Sequence, residues 1–377
     1  MSSSLLTRMG IALVEPDIEF EEILCRALAG KELSIEEGER LMRAEGPELH
    51  ALVAMADEVR NRAVGNIVTY VVNRNLNFNN ICVGSCKFCA FRRSPKDPDA
   101  YVLTPEQIAA KVSEAVRFGA TEVCIQGGLH PDLGLEYYLT ILRAVRGVSQ
   151  SIHIHAFSPA ELDHIARKER LSIEEVIKTL RVDGLNSVPG TAAEILVDRV
   201  RKIICPKKIS ASRWVDIVKT CHYLDLPTTA TMLYGHVETP YELAKHLATV
   251  RDIQRETRGF TEFVPLGFMP CNTQLEREGI VLKPPSLTYS LRTHAVARLM
   301  LAGWIDNIQA SWVKLGPSEA QLMLKAGAND LSGTLMEENI SRTAGGKEQV
   351  MLPEQLERLI LEIGQVPKQR STTYDIL

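Results

Sequence analysis

The sequence lacks the features that mark membrane, secreted and nucleic-acid-binding proteins. No run of eighteen apolar residues occurs, and the N-terminus meets acidic residues by Glu15 without a basic, then apolar, then small-residue pattern. The 43 basic and 47 acidic residues nearly balance, and no block of lysine and arginine is long enough to follow a phosphate backbone. We therefore predict a soluble, cytoplasmic protein that binds neither membranes nor nucleic acid.

The eight cysteines do not have the spacing of a disulfide scaffold. Five of them are scattered over the 377 residues: Cys25, Cys124, Cys205, Cys221 and Cys271. In a chain of this length such spacing favours a reducing compartment, where isolated cysteines are mostly small buried apolar residues. The other three cysteines lie within a segment of eight residues and require a separate explanation.

Short apolar segments alternate with helical patterns along most of the chain. Apolar residues at three- and four-residue spacing predict helices between residues 18 and 62, and Thr104, Pro105 and Gln107 have the pattern of a helix start. The strand-like segments are 67–72, 122–126, 152–157, 184–188, 228–234, 261–266, 304–309 and 328–331. Buried strands that alternate with amphipathic helices form parallel sheets.

Eight such units predict an α/β protein, namely a (β/α)8 TIM-type barrel with an N-terminal helical extension. An open sheet or a partial six-stranded barrel is the alternative. The pattern divides the chain into a helical cap over residues 1–62, a barrel over 63–345, and a C-terminal helix and tail over 346–377.

Polar side chains stand at or near the ends of the predicted strands. His153 and His155 alternate with Ile152 and Ile154, so both imidazoles face one side of the strand and both isoleucines the other. The other polar residues of this kind are Gln126, Asn186, Tyr234, His236, Glu262, Gln309, Asn329 and Asp330. Because the active sites of such barrels lie at the carboxyl ends of the strands, we predict a binding site for a polar small molecule there.

Three cysteines with the spacing CxxxCxxC lie in the loop after the first predicted strand. Cys82, Cys86 and Cys89 can ligate three irons of a [4Fe-4S] cube and leave the fourth iron open for a substrate, whereas electron carriers normally close all four positions. Gly84 lets the short loop curl around the cube, and the phenylalanines of this segment exclude water. We therefore predict a catalytic [4Fe-4S] cluster.

Two other interpretations of these cysteines stay open. A zinc site would need a fourth ligand at knuckle spacing, and the sequence has no second CxxC or paired cysteine and histidine. A remote cysteine such as Cys124 would close the fourth iron, and the protein would then be an electron carrier. Such a carrier would hold a cluster and perform no chemistry of its own.

The cysteine spacing, with an aromatic residue just before the last cysteine, resembles the signature of radical S-adenosylmethionine (SAM) enzymes. In that family the open iron binds SAM, and one electron from the cluster splits SAM into methionine and a 5'-deoxyadenosyl radical. The resemblance implies that Phe88 flanks the adenine. It also implies contacts to the SAM amino group from Gln126, Gly127 and Gly128, and to its ribose and carboxylate from Glu194 and Arg199.

Four longer segments resemble the radical SAM group that contains the FO synthase subunits and the futalosine-pathway enzymes of menaquinone synthesis. They are IHAFSP (154–159), GFTEFVPL (259–266), NIQASWVK (307–314) and NDLSGTLME (329–337). Together they resemble the FO synthase subunits that join the hydroxybenzyl group of L-tyrosine to 5-amino-6-(D-ribitylamino)uracil. Val83 and the segment FMPCNT (268–273) depart from that pattern, and because the latter is similar to the menaquinone enzymes, these remain the alternative.

The resemblance implies a radical transferase with a [4Fe-4S] cluster and SAM as cofactors. The 5'-deoxyadenosyl radical would abstract hydrogen from tyrosine, the Cα–Cβ bond would break, and the hydroxybenzyl fragment would add to C5 of the uracil. A reductant protein and a second FO synthase subunit, which closes the deazaflavin ring on the route to coenzyme F420, are the implied partners. The residues expected to orient the two substrates are His155, Tyr234, His236, Glu262, Gln309 and Asp330.

Overall fold

The computed structural model describes residues 17–346 and 350–377, and this part of the chain begins with three helices. They are α1 (Ile18–Leu28), α2 (Ile35–Leu41) and α3 (Gly46–Val64). The side chain of Asp17 accepts a hydrogen bond from the N–H of Phe20, and Ser34 forms a capping box with Glu37. These N-caps satisfy N–H groups that a helix start leaves free, which fixes where α1 and α2 begin. Residues 1–16 of the expected cap lie outside the described residues.

Within the described residues eight strands follow, and every pairing between them is parallel. They are β1 (Ile67–Val71), β2 (Asn73–Asn77), β3 (Glu122–Gln126), β4 (His153–Ala156), β5 (Thr228–Tyr234), β6 (Phe260–Gly267), β7 (Asp330–Gly333) and β8 (Val366–Gln369). They form three sheets, with the strand orders β7-β1-β8, β2-β3-β4 and β5-β6. The chain is therefore an α/β protein built on parallel strands.

Helices connect the strands and cover the sheets. They are α4 (Pro105–Arg117), α5 (Leu135–Val148), α6 (Pro159–Glu169), α7 (Ile173–Val182), α8 (Asp198–Ile204), α9 (Ala211–Tyr223), α10 (Pro240–Thr257), α11 (Gln274–Arg277), α12 (Leu287–Leu301), α13 (Trp312–Leu315), α14 (Pro317–Leu324), α15 (Asn339–Thr343) and α16 (Pro353–Glu362). The predicted start of α4 is confirmed, since Thr104 and Gln107 form a capping box with Pro105 in the first turn. None of the helices in the described part of the chain has the length and apolar character needed to cross a bilayer.

The N-terminal helices pack on the outer helices α10 and α12. A close approach at α2 requires glycine, because a Cβ at Gly38 would lie 2.5 Å from Sδ of Met300 and 3.0 Å from Cβ of Ala244. Leu24 of α1 and Leu52 of α3 are fully buried in the same core as the helices around the sheets. The N-terminal helices therefore share one continuous apolar core with the rest of the described chain.

Two predicted strands are reduced to short bridges in the structure. Oδ1 of Asn186 accepts the N–H of Ile154, and Oδ1 of Asn329 accepts the N–H of Ile308. These amide oxygens accept hydrogen bonds from N–H groups that would bond to backbone carbonyl oxygens in a continuous strand. The isolated parallel bridges join His155 with Ser187, Val188 with Thr228, Phe263 with Ile308, Gln309 with Asp330, Arg74 with Met336, and Ile81 with Arg93.

Strand β8 was not predicted, because its segment was expected to contain only a helix and a tail. Proline lacks the N–H that a central strand needs, and Pro367 lies in the middle of the short run. It is accommodated because β8 pairs with β1 alone and is the edge strand of its sheet. The strand directs the last residues of the chain toward β1 and β7.

Candidate functional site

The three clustered cysteines lie in the loop between β2 and α4, and all three thiols are free and partly exposed. The loop is held by backbone hydrogen bonds from the N–H of Lys87 to the carbonyl oxygen of Ile204 (2.7 Å) and from the N–H of Cys82 to that of Arg93 (3.2 Å). At Gly84 a Cβ would approach Sγ of Cys82 to 3.1 Å, so the absence of a side chain keeps the loop tight.

Cys82, Cys86 and Cys89 face one cavity of about 260 Å³. In the described residues no three His, Cys, Asp or Glu side chains converge on a single metal ion. A [4Fe-4S] cube takes its thiolates on different irons, and three cysteines around one cavity fit that requirement. Burial raises the pKa of the Cys86 thiol to about 12 and also raises that of Cys89. Cluster binding must therefore displace protons from these thiols.

The same cavity is lined by five of the residues that the family resemblance assigns to SAM. They are Phe88, Gln126, Gly127, Gly128 and Glu194. The two glycines also join β3 to the cysteine loop, because a Cβ at Gly127 would lie 2.6 Å from the ring of Phe78 and one at Gly128 would lie 2.2 Å from the carbonyl oxygen of Ile81. A larger residue at either position would push the cysteine loop away from the strand.

Glu194 forms a buried ion pair with Lys208 at 2.5 Å. Burial acts to raise the pKa of Glu194, but the charges of Lys208 and Arg201 outweigh it and lower the pKa, so the carboxylate is ionised. The ammonium of Lys208 also lies 5.3 Å from the centre of the Phe88 ring, within the range of a cation–π contact. Lys208 could not be identified from the sequence, because two adjacent lysines normally indicate a solvated surface.

Arg199, predicted together with Glu194, is not among the residues that line this cavity. Its guanidinium donates to both carboxylate oxygens of Glu242, at 2.6 and 2.5 Å, and to the carbonyl oxygen of Val237 at 2.8 Å. Arg199 thus joins α8 to the start of α10. Within the cavity the cation beside Glu194 is Lys208.

Glu161 also lines the cavity and was missed from the sequence. Its Oε1 accepts the N–H of Gly127 at 3.1 Å, and its Oε2 accepts the N–H and the hydroxyl of Ser158, both at 2.7 Å. The pattern Ser-x-x-Glu at the start of α6 is a capping-box signal that would have located the residue. The sequence alone does not show that Glu161 also binds the backbone of the Gly127–Gly128 turn.

Replacing Glu161 with glutamine is expected to change how stability depends on pH. Burial raises the pKa of Glu161 to about 7, although the hydrogen bonds from Ser158 and Gly127 act to lower it. Because the folded state prefers the protonated carboxyl, the residue contributes stability that is lost as the pH rises from about 4.5 to about 7. Between about pH 5 and pH 8, the unfolding midpoint of the cluster-free parent should fall relative to that of Glu161→Gln. A constant difference would contradict the raised pKa.

None of the six residues expected to orient substrates lines the cavity; four lie elsewhere inside the described sheets and two lie near the end of β5. Tyr234 is fully buried, and its hydroxyl donates to Ser290 at 3.0 Å. The ring of His236 lies between Glu238, at 2.8 Å, and the carbonyl oxygen of Leu233. These two side chains are therefore engaged in local packing.

The other four residues are polar groups inside the described fold, and three of them, Glu262, Gln309 and Asp330, belong to one hydrogen-bonded network. The imidazole of His155 bonds to Ser187 at 2.6 Å, and burial lowers its pKa to about 4, so it is neutral. Gln309 donates to Glu262 at 3.1 Å. Asp330 was expected near the end of a strand over residues 328–331. In the structure it is instead the first residue of β7, which ends at Gly333.

Residues 370–374, here called the C-terminal plug, complete this network. Arg370 donates to both carboxylate oxygens of Asp330, at 2.5 and 3.2 Å, and lies 3.5 Å from Glu262. The hydroxyl of Tyr374 donates to Glu262 at 2.5 Å. Arg370 and Thr372 bond to Asp330 and Glu122, the first residues of β7 and β3, whereas the cysteine loop follows the carboxyl end of β2. Glu262 and Asp330 thus bind the chain's own C-terminus.

Comparison with solved structures shows the same architecture elsewhere. The hydrogenase maturase HydG from Carboxydothermus hydrogenoformans superimposes with a TM-score of 0.72 at 17% identity, covering 94% of this chain and 80% of that one. Methylornithine synthase (PylB) gives a TM-score of 0.72 at 18% identity, with coverage of 92% and 97%. At these identities the likeness shows the fold alone.

Comparisons with family models and with curated relatives identify the family of this chain. Residues 76–250 match the radical SAM superfamily, and residues 257–377 match the CofH/MqnC C-terminal region. A protein of Archaeoglobus fulgidus named 5-amino-6-(D-ribitylamino)uracil–L-tyrosine 4-hydroxyphenyl transferase is 52% identical, over 86% of this chain and 92% of its own. A protein of the same name from Methanopyrus kandleri is 47% identical over 95% and 97%. The chain therefore belongs to the radical SAM superfamily and, within it, to the family of the 5-amino-6-(D-ribitylamino)uracil–L-tyrosine 4-hydroxyphenyl transferases.

Proposed function

We propose that this chain is the radical SAM transferase that joins the hydroxybenzyl group of L-tyrosine to 5-amino-6-(D-ribitylamino)uracil in the biosynthesis of the deazaflavin FO. One observation carries the proposal: Cys82, Cys86 and Cys89 share a cavity with the Gly127–Gly128 turn, in a chain 52% identical to a relative that bears this activity in its name. The free state of all eight cysteines supports a reducing, cytoplasmic location.

The single bridges support closure of the strands into one barrel. They continue the pairing from β4 through residues 187 and 188 to β5, and from β6 through residues 308 and 309 to β7. β7 pairs with β1, which leads directly into β2, and a further bridge joins Arg74 of β2 to Met336. This order is the one that a (β/α)8 barrel requires, with the two bridge segments in the places of strands.

The cavity residues divide into those that would hold the cluster and those that would hold SAM. The three cysteines would ligate three irons, and Phe88, the glycine turn and the Glu194–Lys208 pair would contact SAM. When bound, the reduced cluster would cleave SAM to methionine and the 5'-deoxyadenosyl radical. The remaining task of the chain is to position the substrates and exclude water, and the apolar side chains of Phe88 and Met269, both half-buried at the cavity, suit that task.

An anaerobic product assay tests the proposed reaction. The reconstituted enzyme would be given SAM, a reductant, tyrosine and the ribitylaminouracil, with each omitted in turn, and the products analysed by mass spectrometry. We expect 5'-deoxyadenosine, glyoxylate and a coupled hydroxybenzyl uracil only in the complete mixture. SAM cleavage that requires a futalosine-derived substrate instead would support the menaquinone alternative, to which the shared CofH/MqnC match also points.

The coupled product still lacks its closed deazaflavin ring, so we propose the second FO synthase subunit as the enzyme that consumes it. A reductant protein is the other proposed partner, because the cluster needs one electron for each cleavage. A second cavity of about 560 Å³ borders Cys86 and Cys89 from another side. Four arginines line it: Arg92, Arg93, Arg277 and Arg342. Such a basic opening beside the cluster ligands would attract an acidic electron-donor protein.

Reversing two of these charges is expected to slow reduction by a protein donor. Arg277 and Arg342 are exposed, so Arg277→Glu and Arg342→Glu should fold normally and weaken association with an acidic flavoprotein, most strongly at low ionic strength. The rate of cluster reduction would be followed by its visible absorbance. Reduction by dithionite, which needs no docking surface, should not change, and Lys202→Glu, at an exposed position of α8, is the matched control. Equal slowing with both reductants would contradict docking at this opening.

A further inference from the structure

Lys314 belongs to the segment NIQASWVK and has no part in the site as described so far. It lies in the short helix α13, which is anchored by Trp312, a fully buried residue whose Nε1 donates to the carbonyl oxygen of Gly333 at 2.9 Å. The N–H of Lys314 bonds to the carbonyl oxygen of Ser311 at 3.0 Å. This fixed turn holds the lysine side chain against the cavity that the three cysteines line.

The basic residues around this cavity differ in whether their charge is already paired. They are Arg92, Lys207, Lys208 and Lys314. The guanidinium of Arg92 donates to a backbone oxygen of the cysteine loop, Lys208 pairs with Glu194, and Lys207 is exposed to solvent. Among the described residues no hydrogen-bond acceptor or carboxylate pairs with the ammonium of Lys314. Among these four residues it is the half-buried cation whose ammonium makes no hydrogen bond or ion pair within the described part of the chain.

The charges nearest to Lys314 do not satisfy it. Burial lowers its pKa, while the charges of Glu338 and Cys89 act to raise it. The carboxylate of Glu338 accepts the N–H of Ser341 at 2.7 Å at the start of α15 and makes no bond to the lysine. A half-buried ammonium at the wall of a cavity can still form a charge-assisted hydrogen bond, so Lys314 is suited to an anionic ligand group.

The chemistry of the proposed reaction offers one kind of anion. The ribitylaminouracil carries amide, amine and hydroxyl groups without a fixed charge, whereas L-tyrosine and SAM each carry an α-carboxylate and an α-ammonium. The Glu194–Lys208 pair already provides one anion and one cation side by side, as a single amino-acid head group requires. A second amino acid in the same cavity needs a second cation.

We propose that Lys314 binds the α-carboxylate of the substrate L-tyrosine and thereby selects the amino acid over tyrosine-like phenols. This inference rests on the proposed function. An ammonium–carboxylate hydrogen bond is about twice as strong as a neutral one, which is enough to fix one end of the substrate. With the carboxylate held at α13, the amino group and the Cα–Cβ bond lie within the cavity next to the cysteine loop.

Binding measurements on the oxidised, cluster-loaded enzyme test this role without turnover. We expect Lys314→Gln to weaken tyrosine binding by about 10- to 100-fold, the loss typical of one charge-assisted bond. Tyramine, which lacks the carboxylate, should bind equally to the variant and the parent. SAM affinity should not change, and Lys314→Arg should recover part of the tyrosine affinity. Lys202→Gln, at an exposed position of α8, is the matched control, and iron content with the unfolding midpoint establishes that each variant is folded.

Several outcomes would overturn the proposal. A loss of SAM affinity with tyrosine binding intact would assign the lysine to the SAM carboxylate. Equal losses for tyrosine and tyramine would indicate a structural effect, and unchanged binding of both would leave Lys314 as a counter-charge for the cluster. If the parent itself binds no tyrosine, the proposed function fails, and this result is distinct from a failure confined to the variant.

Discussion

Replacing any one of Cys82, Cys86 and Cys89 with alanine is expected to abolish SAM cleavage. Each thiolate would ligate a different iron, so loss of one leaves a cube with an additional exposed iron and no replacement donor at that corner. The variants should contain much less iron and sulfide than the parent after reconstitution. They should form no detectable 5'-deoxyadenosine by mass spectrometry, with or without substrates.

Two other cysteines serve as matched controls for this experiment. Cys124 lies on β3 inside the sheet, and Cys205 is buried at the end of α8, close enough to Cys86 for their charges to interact. Neither is among the residues that line the cluster cavity. Cys124→Ala and Cys205→Ala should therefore retain the cluster and SAM cleavage. Loss of the cluster in either control would indicate a fourth cysteine ligand and would favour the electron-carrier hypothesis.

Features encoded in short segments of the sequence were predicted correctly. The capping box at Thr104 marked the start of α4, and the predicted segment 122–126 coincides with β3. The CxxxCxxC spacing identified three residues that the structure places around one cavity. In each case the physical cause acts between residues a few positions apart, so the pattern alone contains the information.

Features that depend on distant pairings were not predicted. Glu262 and Asp330 were expected to face substrates, but Arg370 binds both, from 108 and 40 positions away in the sequence. Lys208 reaches Glu194 only because the chain folds back after α8. A polar residue in a buried strand indicates that a partner exists, but not whether this partner is a ligand or another part of the chain.

Replacing Arg370 with methionine is expected to destabilise the fold strongly. The guanidinium lies between Asp330 and Glu262, and both carboxyl groups are buried. Methionine fills similar space but leaves two uncompensated carboxyl groups inside the sheets, which costs about 3–5 kcal/mol of the free energy of unfolding. Urea denaturation of the cluster-free protein would measure the loss. Arg358→Met is the matched control, because Arg358 is exposed on α16 and its ion pair with Glu362 is a surface contact worth little.

The effect of Arg370→Met should also depend on pH in a defined direction. Burial already raises the pKa of Glu262 to about 7, and the charge of Arg370 acts to lower it. Without the arginine this pKa rises further, so the variant's folded state binds protons more tightly and loses stability as the pH increases. The deficit relative to the parent should therefore be smaller near pH 5 than near pH 8, and Asp330→Asn should recover part of it at the higher pH. A deficit independent of pH would mean that Arg370 acts through packing and not by compensating the carboxylates.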